Sequence, residues 1–252
     1  MSNSSLWWKD FFDGLWYEFH QRHIRDDEYE SQVEHLAMLL DASPGDKLLD
    51  IPCGVGGQAA SFAKRGCHVT GIDINPTLLE MARERAVNTG VEVELIEQDM
   101  RHYDGGAVFN AAFCVWGSFG YFDDEGNRQQ LESVFRSLRP GGKFLLEIYP
   151  LETIMSNFIP RDWRRGGDVL AVEERSYNPS DSTISSEWQF FGHGKTESRQ
   201  SKMRLYTLRE LSSLFRSVGF AQPVAFDSVN LGPYSLESFG AWLLAVKPGE
   251  IA

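Results

Sequence analysis

The sequence has little of what marks secreted, membrane or nucleic-acid-binding chains. Its 252 residues include three cysteines, Cys53, Cys67 and Cys114, an odd number that offers no disulfide framework and implies reduced thiols and a cytoplasmic address. No apolar run approaches the length of a membrane span. The amino-terminal stretch MSNSSLWWKDFFDGLWYEF is aromatic but broken by charges, and it lacks the basic start and apolar run of a signal peptide. Basic residues are outnumbered, 24 Lys and Arg against 36 Asp and Glu, for a net charge of -12 at pH 7. A field of that sign repels phosphate backbones and anionic lipid, so neither nucleic acid nor membrane is expected as a partner. Internal repeats and low-complexity tracts are absent as well. What the chain does have is 42% hydrophobic and 13% aromatic content, enough for a large core in one globular domain with room for an inserted subdomain.

From Lys47 onward, strand-like and helix-like patterns alternate, the pattern of a doubly wound α/β sheet covered on both faces. Strands are predicted at 47–51, 67–72, 92–97, 109–115 and 142–149, and amphipathic helices at 57–65, 76–89 and 125–138. Asn75 reads as the N-cap of the second helix and Pro76 as its first residue. After Tyr149 the rhythm changes. Between about 168 and 206, apolar and polar residues alternate around the turn signals NPSDS and GHGK, which predicts an antiparallel meander. The closing TLRELSSLFRSVGF, AQPVAFD and FGAWLLAVKP read as a helix and two strands. The link between those strands has no helical period, so they are expected to pair antiparallel at one edge of a seven-stranded mixed sheet. The resulting division is an N-terminal helical lid (1–44), a Rossmann-like core (45–150 and 207–252) and a β-rich insertion (151–206) for substrate or dimer contacts.

The stretch LLDIPCGVGG joins the first strand to the first helix of this core. Its glycines remove side chains where backbone N–H groups and a helix start can approach a polar ligand. Asp73 ends the second strand, where a carboxylate can accept both hydroxyls of a ribose. Gly54, Gly56 and Ala59 also satisfy the relaxed dinucleotide pattern G-x-G-x-x-A, which keeps a nicotinamide-dependent oxidoreductase as an alternative. Asp50 argues against phosphates at the turn, since a carboxylate there repels pyrophosphate and welcomes an ammonium. Asp99 ends the third strand and can receive the exocyclic amine of an adenine. Three acids at successive strand ends describe a ligand with an amino group, a ribose and an adenine.

Taken in order, LLDIPCGVGG, VTGIDIN, IEQDM, FNAAFCVWGSFGYF and LRPGGKFLLEIYP resemble the successive motifs of class I S-adenosylmethionine-dependent methyltransferases over about 47–150. Pro52 stands where that family usually has its first glycine. The resemblance implies S-adenosyl-L-methionine as cofactor, with Asp50, Gly54 and Gly56 near the methionine amino end and Asp73 on the ribose. It also implies Ile74, Asp99 and Met100 around the adenine, and Val115 and Trp116 along the methionine chain. A protein that binds this cofactor without turning it over is the non-enzymatic alternative.

A sulfonium methyl is already activated, so transfer demands alignment and a dry site more than acid–base chemistry. The acceptor is expected to be a small molecule methylated on nitrogen or oxygen. Tyr149, at the carboxyl end of the fifth strand, and His20 are the candidate catalytic residues, with His23 and His193 as further bases. Trp8, Phe12, Leu15, Trp16 and Phe19 recur at helical spacing, and Trp16, Tyr17, Trp116 and Tyr149 are the candidate acceptor contacts. Arg161, Asp162, Trp163 and Arg164 form a charge run that could hold an anionic acceptor. Asp123 and Asp124 read as a helix cap, and no metal is expected.

Overall fold

The computed structural model describes residues 4–20 and 24–249. Its centre is a seven-stranded sheet built from β1 (Lys47–Asp50), β2 (His68–Asp73), β3 (Glu94–Glu97), β4 (Phe109–Cys114), β5 (Leu138–Ile148), β10 (Val224–Asp227) and β11 (Ala241–Val246). The strands lie in the order β10-β11-β5-β4-β1-β2-β3. β1 to β5 are parallel to one another. β11 runs antiparallel to both β5 and β10, so the closing strands form the expected antiparallel edge.

Strand alternation explains the two-sided core. Leu48, Ala111, Phe113 and Leu145 pack on one face, joined by Val33, Leu36 and Leu40 of α2 (Asp26–Leu40) and Ala59 and Phe62 of α3 (Gly57–Lys64). Their neighbours Leu49, Ala112, Cys114, Phe144 and Leu146 pack on the other, with Leu131 and Val134 of α5 (Asp124–Ser137) and Leu211 and Phe215 of α7 (Leu208–Val218). Consecutive residues of one strand thus face opposite layers, which is why these strands read as unbroken apolar runs. α2 belongs to this packing, so within 1–44 only the segment ahead of it is free to act as a lid.

Helix starts follow their local chemistry. Asn75 Oδ1 accepts from the N–H groups of Thr77 (2.9 Å) and Leu78 (3.3 Å), with Pro76 opening α4 (Pro76–Thr89). Thr207 and Glu210 form a reciprocal capping box at the start of α7. Thr207→Ala is expected to lower stability by about 1 kcal/mol, read as a lower midpoint in denaturant; an unchanged midpoint would remove the cap from the stability account.

The insertion begins earlier than its pattern suggests. α6 (Leu151–Ser156) was not legible as a helix, and the charge run PRDWRR is a strand, β6 (Arg161–Gly166). It pairs with β7 (Val169–Asn178), followed by β8 (Thr183–Gly192) and β9 (Lys195–Arg204) in a four-stranded antiparallel sheet. Cross-strand pairing explains the charges. Arg161 bridges Glu174 at 3.1 Å, and Arg164 bridges Asp162 and Glu173 at 3.4 Å each. The run serves the sheet, and Arg161 and Arg164 already have carboxylate partners.

The single N-terminal helix implied by the aromatic spacing is in fact two pieces, a 3-10 turn (Ser4–Lys9) and α1 (Gly14–His20). Gly14 breaks it. Its φ is +57°, a left-handed conformation that favours glycine, and a Cβ there would lie 2.6 Å from a Glu197 carboxylate oxygen, which would have to move aside. Glu197 also accepts from the N–H of Leu15 at 3.2 Å. Phe11, Leu15 and Trp16 then bury against Val169, Ala171 and Phe190 of the insertion, with Tyr17 at the margin of that cluster. Among the described residues no helix is long and apolar enough to cross a membrane.

Candidate cofactor and acceptor cavity

The carboxyl ends of β1, β2, β3 and β4 meet the N-terminal segment around a cavity with about 940 Å³ of empty space, part of it open to solvent. Its lining combines the glycine turn (Pro52, Gly54), the acids Asp73 and Asp99, the apolar Ile74, Met100 and Val115, and the aromatics Trp16, His20 and Trp116.

Asp73 organises the turn. Its Oδ2 accepts from the N–H of Gly54 and its Oδ1 from that of Asn75, both at 2.9 Å. Burial nevertheless pushes its carboxyl above the usual range, because these two N–H groups only partly replace the water it has lost. Carboxylate oxygens carry about four acceptor positions between them, so the face toward the cavity keeps capacity for a hydroxyl. Gly54 has φ +52° and nothing within 4 Å of where a Cβ would stand, so its backbone opens directly onto the cavity.

Asp99 is held differently. Although burial works against its charge, Arg101 grips it through Nη2 at 2.6 Å and Nε at 3.0 Å and holds its carboxyl below the usual range. The Arg101 guanidinium in turn lies 4.2 Å from the ring centre of Phe122 and 5.7 Å from that of Trp8. Asp50 does not reach the lining. It is fully buried, neither carboxylate oxygen has a hydrogen-bond partner, and burial together with nearby Asp73 drives its carboxyl well above the normal range. Gly56 also lies outside the lining. Its φ of +68° starts α3, and a Cβ there would meet Ala82 Cβ at 2.9 Å, so the glycine serves helix packing.

The aromatic wall comes from residues four apart, Trp8, Phe12, Trp16 and His20. His20 stacks on Trp16 with ring centres 5.1 Å apart and meets Trp116 edge-on at 6.4 Å. Burial, helped by the positive charge of Arg164, lowers the His20 pKa, so the neutral imidazole is favoured at pH 7. For a base depressed on folding, the unfolded chain binds the extra proton first. Stability present above the unfolded value of about 6.5 is therefore lost as pH falls toward the folded pKa. The drop in melting temperature between pH 7.5 and 5.5 is expected to be slightly smaller in His20→Asn than in the parent chain, since His20 stays partly open to solvent; equal drops would contradict a lowered His20 pKa.

Three sequence candidates stand elsewhere. Tyr149 is not among the lining residues. It is mostly buried, its pKa is pushed up to about 12 by burial, and its ring lies 3.1 Å from where a Cβ on Gly117 would be, behind the turn that carries Trp116. Tyr17 packs against the insertion, as described above. His193, in the turn between β8 and β9, lies 2.7 Å from a Glu18 carboxylate oxygen and lines no part of the cavity. His23 falls outside the described residues. Asp123 caps α5 through the N–H of Gly126 at 2.8 Å, and Asp124 accepts from Arg204 and Tyr206. Tyr29, Gln58, Gln98, Ser118 and Tyr121 are further lining residues that were not singled out in the sequence. Gln98 in IEQDM and Ser118 and Tyr121 in FNAAFCVWGSFGYF sit inside stretches that had drawn notice, whereas no local pattern marks Tyr29, which α2 brings over the turn from a distance.

Residues 48–142 match the family described as methyltransferase domain. A protein of Geobacillus sp. (strain WCH70) assigned as a methyltransferase is 26% identical over 135 residues, 53% of this chain and 55% of its own length. The chain thus spans about half of that relative. An S-adenosylmethionine-dependent methyltransferase from Clostridium acetobutylicum shares the fold with a TM-score of 0.77 at 16% identity, covering 92% of this chain and 96% of its own. CalS10, an amino pentose methyltransferase of Micromonospora echinaspora solved with its cofactor bound, has a TM-score of 0.66 at 22% identity, covering 90% and 93%. The domain match begins in β1, takes in the glycine turn and the acids at the ends of β2 and after β3, and runs into β5, and the antiparallel β11 closes the same sheet. By these marks residues 48–142 resemble a methyltransferase domain, and the chain shares the fold of S-adenosylmethionine-dependent methyltransferases.

Proposed function

We propose that the chain methylates a nitrogen or oxygen of a small-molecule acceptor inside the cavity between the sheet and the N-terminal segment. The observation that carries this is the make-up of one cavity, which joins an adenosine-like lining (Asp73, Ile74, Asp99, Met100) to an aromatic one (Trp16, His20, Trp116). Asp73 would take ribose hydroxyls, Ile74 and Met100 would flank the adenine, and Asp99 would accept its amine with the capacity left beside Arg101. The open backbone at Gly54 and the chain at Val115 and Trp116 would follow the methionine portion. Asp50, sealed behind the turn, would act through its charge or proton and not by contact. When bound, S-adenosylmethionine supplies an activated sulfonium methyl.

The chain's own contribution is alignment and exclusion of water. Trp8, Phe12 and Trp16 shield the cavity, which suits a displacement that needs few polar groups. His20, neutral and at the lining, is the group able to accept a proton from an acceptor N–H or O–H. Tyr149 is assigned no contact with the acceptor. The 151–206 sheet, docked on α1, would form the outer wall of the acceptor region, and a homodimer contact is its second possible use. An amino pentose as the acceptor of CalS10 favours small amines as the first compounds to try.

Calorimetric titration with S-adenosylmethionine, S-adenosylhomocysteine and NADH is the first test. Binding of the first two without the third is expected, and NADH binding alone would refute the proposal. Mass spectrometry of small amines and alcohols incubated with enzyme and cofactor then reads methyl transfer as a gain of one methyl group. Transfer only to a macromolecule would overturn the small-molecule assignment.

A further inference from the structure

Trp116 lines the cavity in a conformation that a bulky residue rarely adopts. Its φ is +62° and that of Gly117 is +67°, two consecutive left-handed residues directly after β4. A left-handed tryptophan needs its surroundings to hold it there. The support comes from β5, which runs parallel beside β4 with Leu146 paired to Cys114. The next residue, Glu147, is 9% exposed, and its Oε2 accepts from the backbone N–H of Trp116 at 2.5 Å. Two residues further, the Tyr149 ring packs where a side chain on residue 117 would need to be, so the turn must carry glycine. Tyr149 is backed by Phe239 at 5.6 Å between ring centres. Held in this way, Trp116 remains 40% exposed toward the cavity, beside His20.

We propose that Glu147 is a positioning residue, whose hydrogen bond to the Trp116 N–H fixes the left-handed turn and sets the indole in the acceptor part of the cavity. The bond stands independently of the reaction; its consequence for the acceptor rests on the function proposed above. A carboxylate accepting at this length makes a charge-assisted bond, stronger and more directional than a neutral one. Substituting the carboxylate therefore tests the role without touching the cavity wall.

The experiment uses the full chain labelled with ¹⁵N, with the Trp116 backbone and indole resonances assigned by their loss in Trp116→Phe. In Glu147→Ala both resonances are expected to shift and amide exchange at Trp116 to rise about tenfold or more. In Glu147→Gln, whose amide oxygen still accepts, the backbone N–H is expected to move upfield while the indole stays in place. Affinity for S-adenosylhomocysteine is expected to hold within about threefold in Glu147→Gln, whose turn keeps its acceptor, and to fall further in Glu147→Ala, because Trp116 lines the same cavity. Unmoved Trp116 resonances in Glu147→Ala would overturn the proposal. So would a loss of S-adenosylhomocysteine affinity in parallel with the melting temperature in Glu147→Gln, which is the mark of a general scaffold role. If Glu147→Ala does not fold, the backbone shift in Glu147→Gln decides alone, and its absence refutes the bond. Failure of the parent chain to bind S-adenosylhomocysteine, with Trp116 responding as expected, would count against the function and leave the positioning role intact.

Discussion

Asp73→Ala is expected to weaken S-adenosylhomocysteine binding by about 2–3 kcal/mol, roughly 30- to 150-fold in dissociation constant. The residue does two jobs at once. Through the N–H groups of Gly54 and Asn75 it ties the glycine turn to the end of β2, and its remaining oxygen capacity faces the cavity. Alanine removes a charge-assisted acceptor for the ligand and also leaves two N–H groups of the turn without partners. Asp73→Asn, which retains one carbonyl oxygen, should lose less. Calorimetry with S-adenosylhomocysteine, accompanied by a melting curve to exclude unfolding, reads the effect. Parent-like affinity in the alanine variant would remove Asp73 from the cofactor site.

The largest stability loss is expected at Gly120, where the sheet core meets the end of the insertion. Gly120 has φ +93°, and a Cβ there would stand 2.3 Å from the backbone oxygen of Arg204. Its own carbonyl accepts from the Arg204 N–H at 2.7 Å, so neither the loop after β4 nor the end of β9 can withdraw without breaking the junction. Alanine combines an unfavourable backbone conformation with an overlap against main-chain atoms, together about 3 kcal/mol. For a chain of this size that corresponds to a fall of roughly 6–12 °C in melting temperature. Gly106→Ala is the control, since Gly106 has φ +69° but nothing within 4 Å of its Cβ position. Its loss should be limited to the conformational cost, about 1 kcal/mol. Equal losses at the two sites would mean that conformation, and not the contact with Arg204, dominates at Gly120.

The parallel core was legible because each of its elements is specified by nearby residues. Asn75 and Pro76 start α4 where they stand in the chain, and the apolar runs of β1, β2 and β4 are long enough to read as strands buried on both faces. The acids at the strand ends were legible for the same reason, since the end of a strand is a position along the chain. PRDWRR read as a charge run for an anionic acceptor because a charged edge strand shows no apolar alternation, and its partners Glu173 and Glu174 lie on the opposite strand. Leu151–Ser156 is too short for a periodic signal. Spacing alone also implied one N-terminal helix, whereas Gly14 turns the chain to meet Glu197, more than 180 residues away.

What the sequence by itself determined is the fold class, the resemblance to a methyltransferase domain and the lining acids Asp73 and Asp99, all of which depend on local order and on spacing along the chain. Which of the remaining candidates face the cavity was decided only by tertiary packing. It brought His20 against Trp16 and Trp116, closed Asp50 and Gly56 away behind the turn, and set Tyr149 behind Gly117. The physical reason is that a side chain's exposure is settled by what other elements leave uncovered. At Trp116 the deciding neighbour is Glu147, 31 residues further along the chain on the adjacent strand.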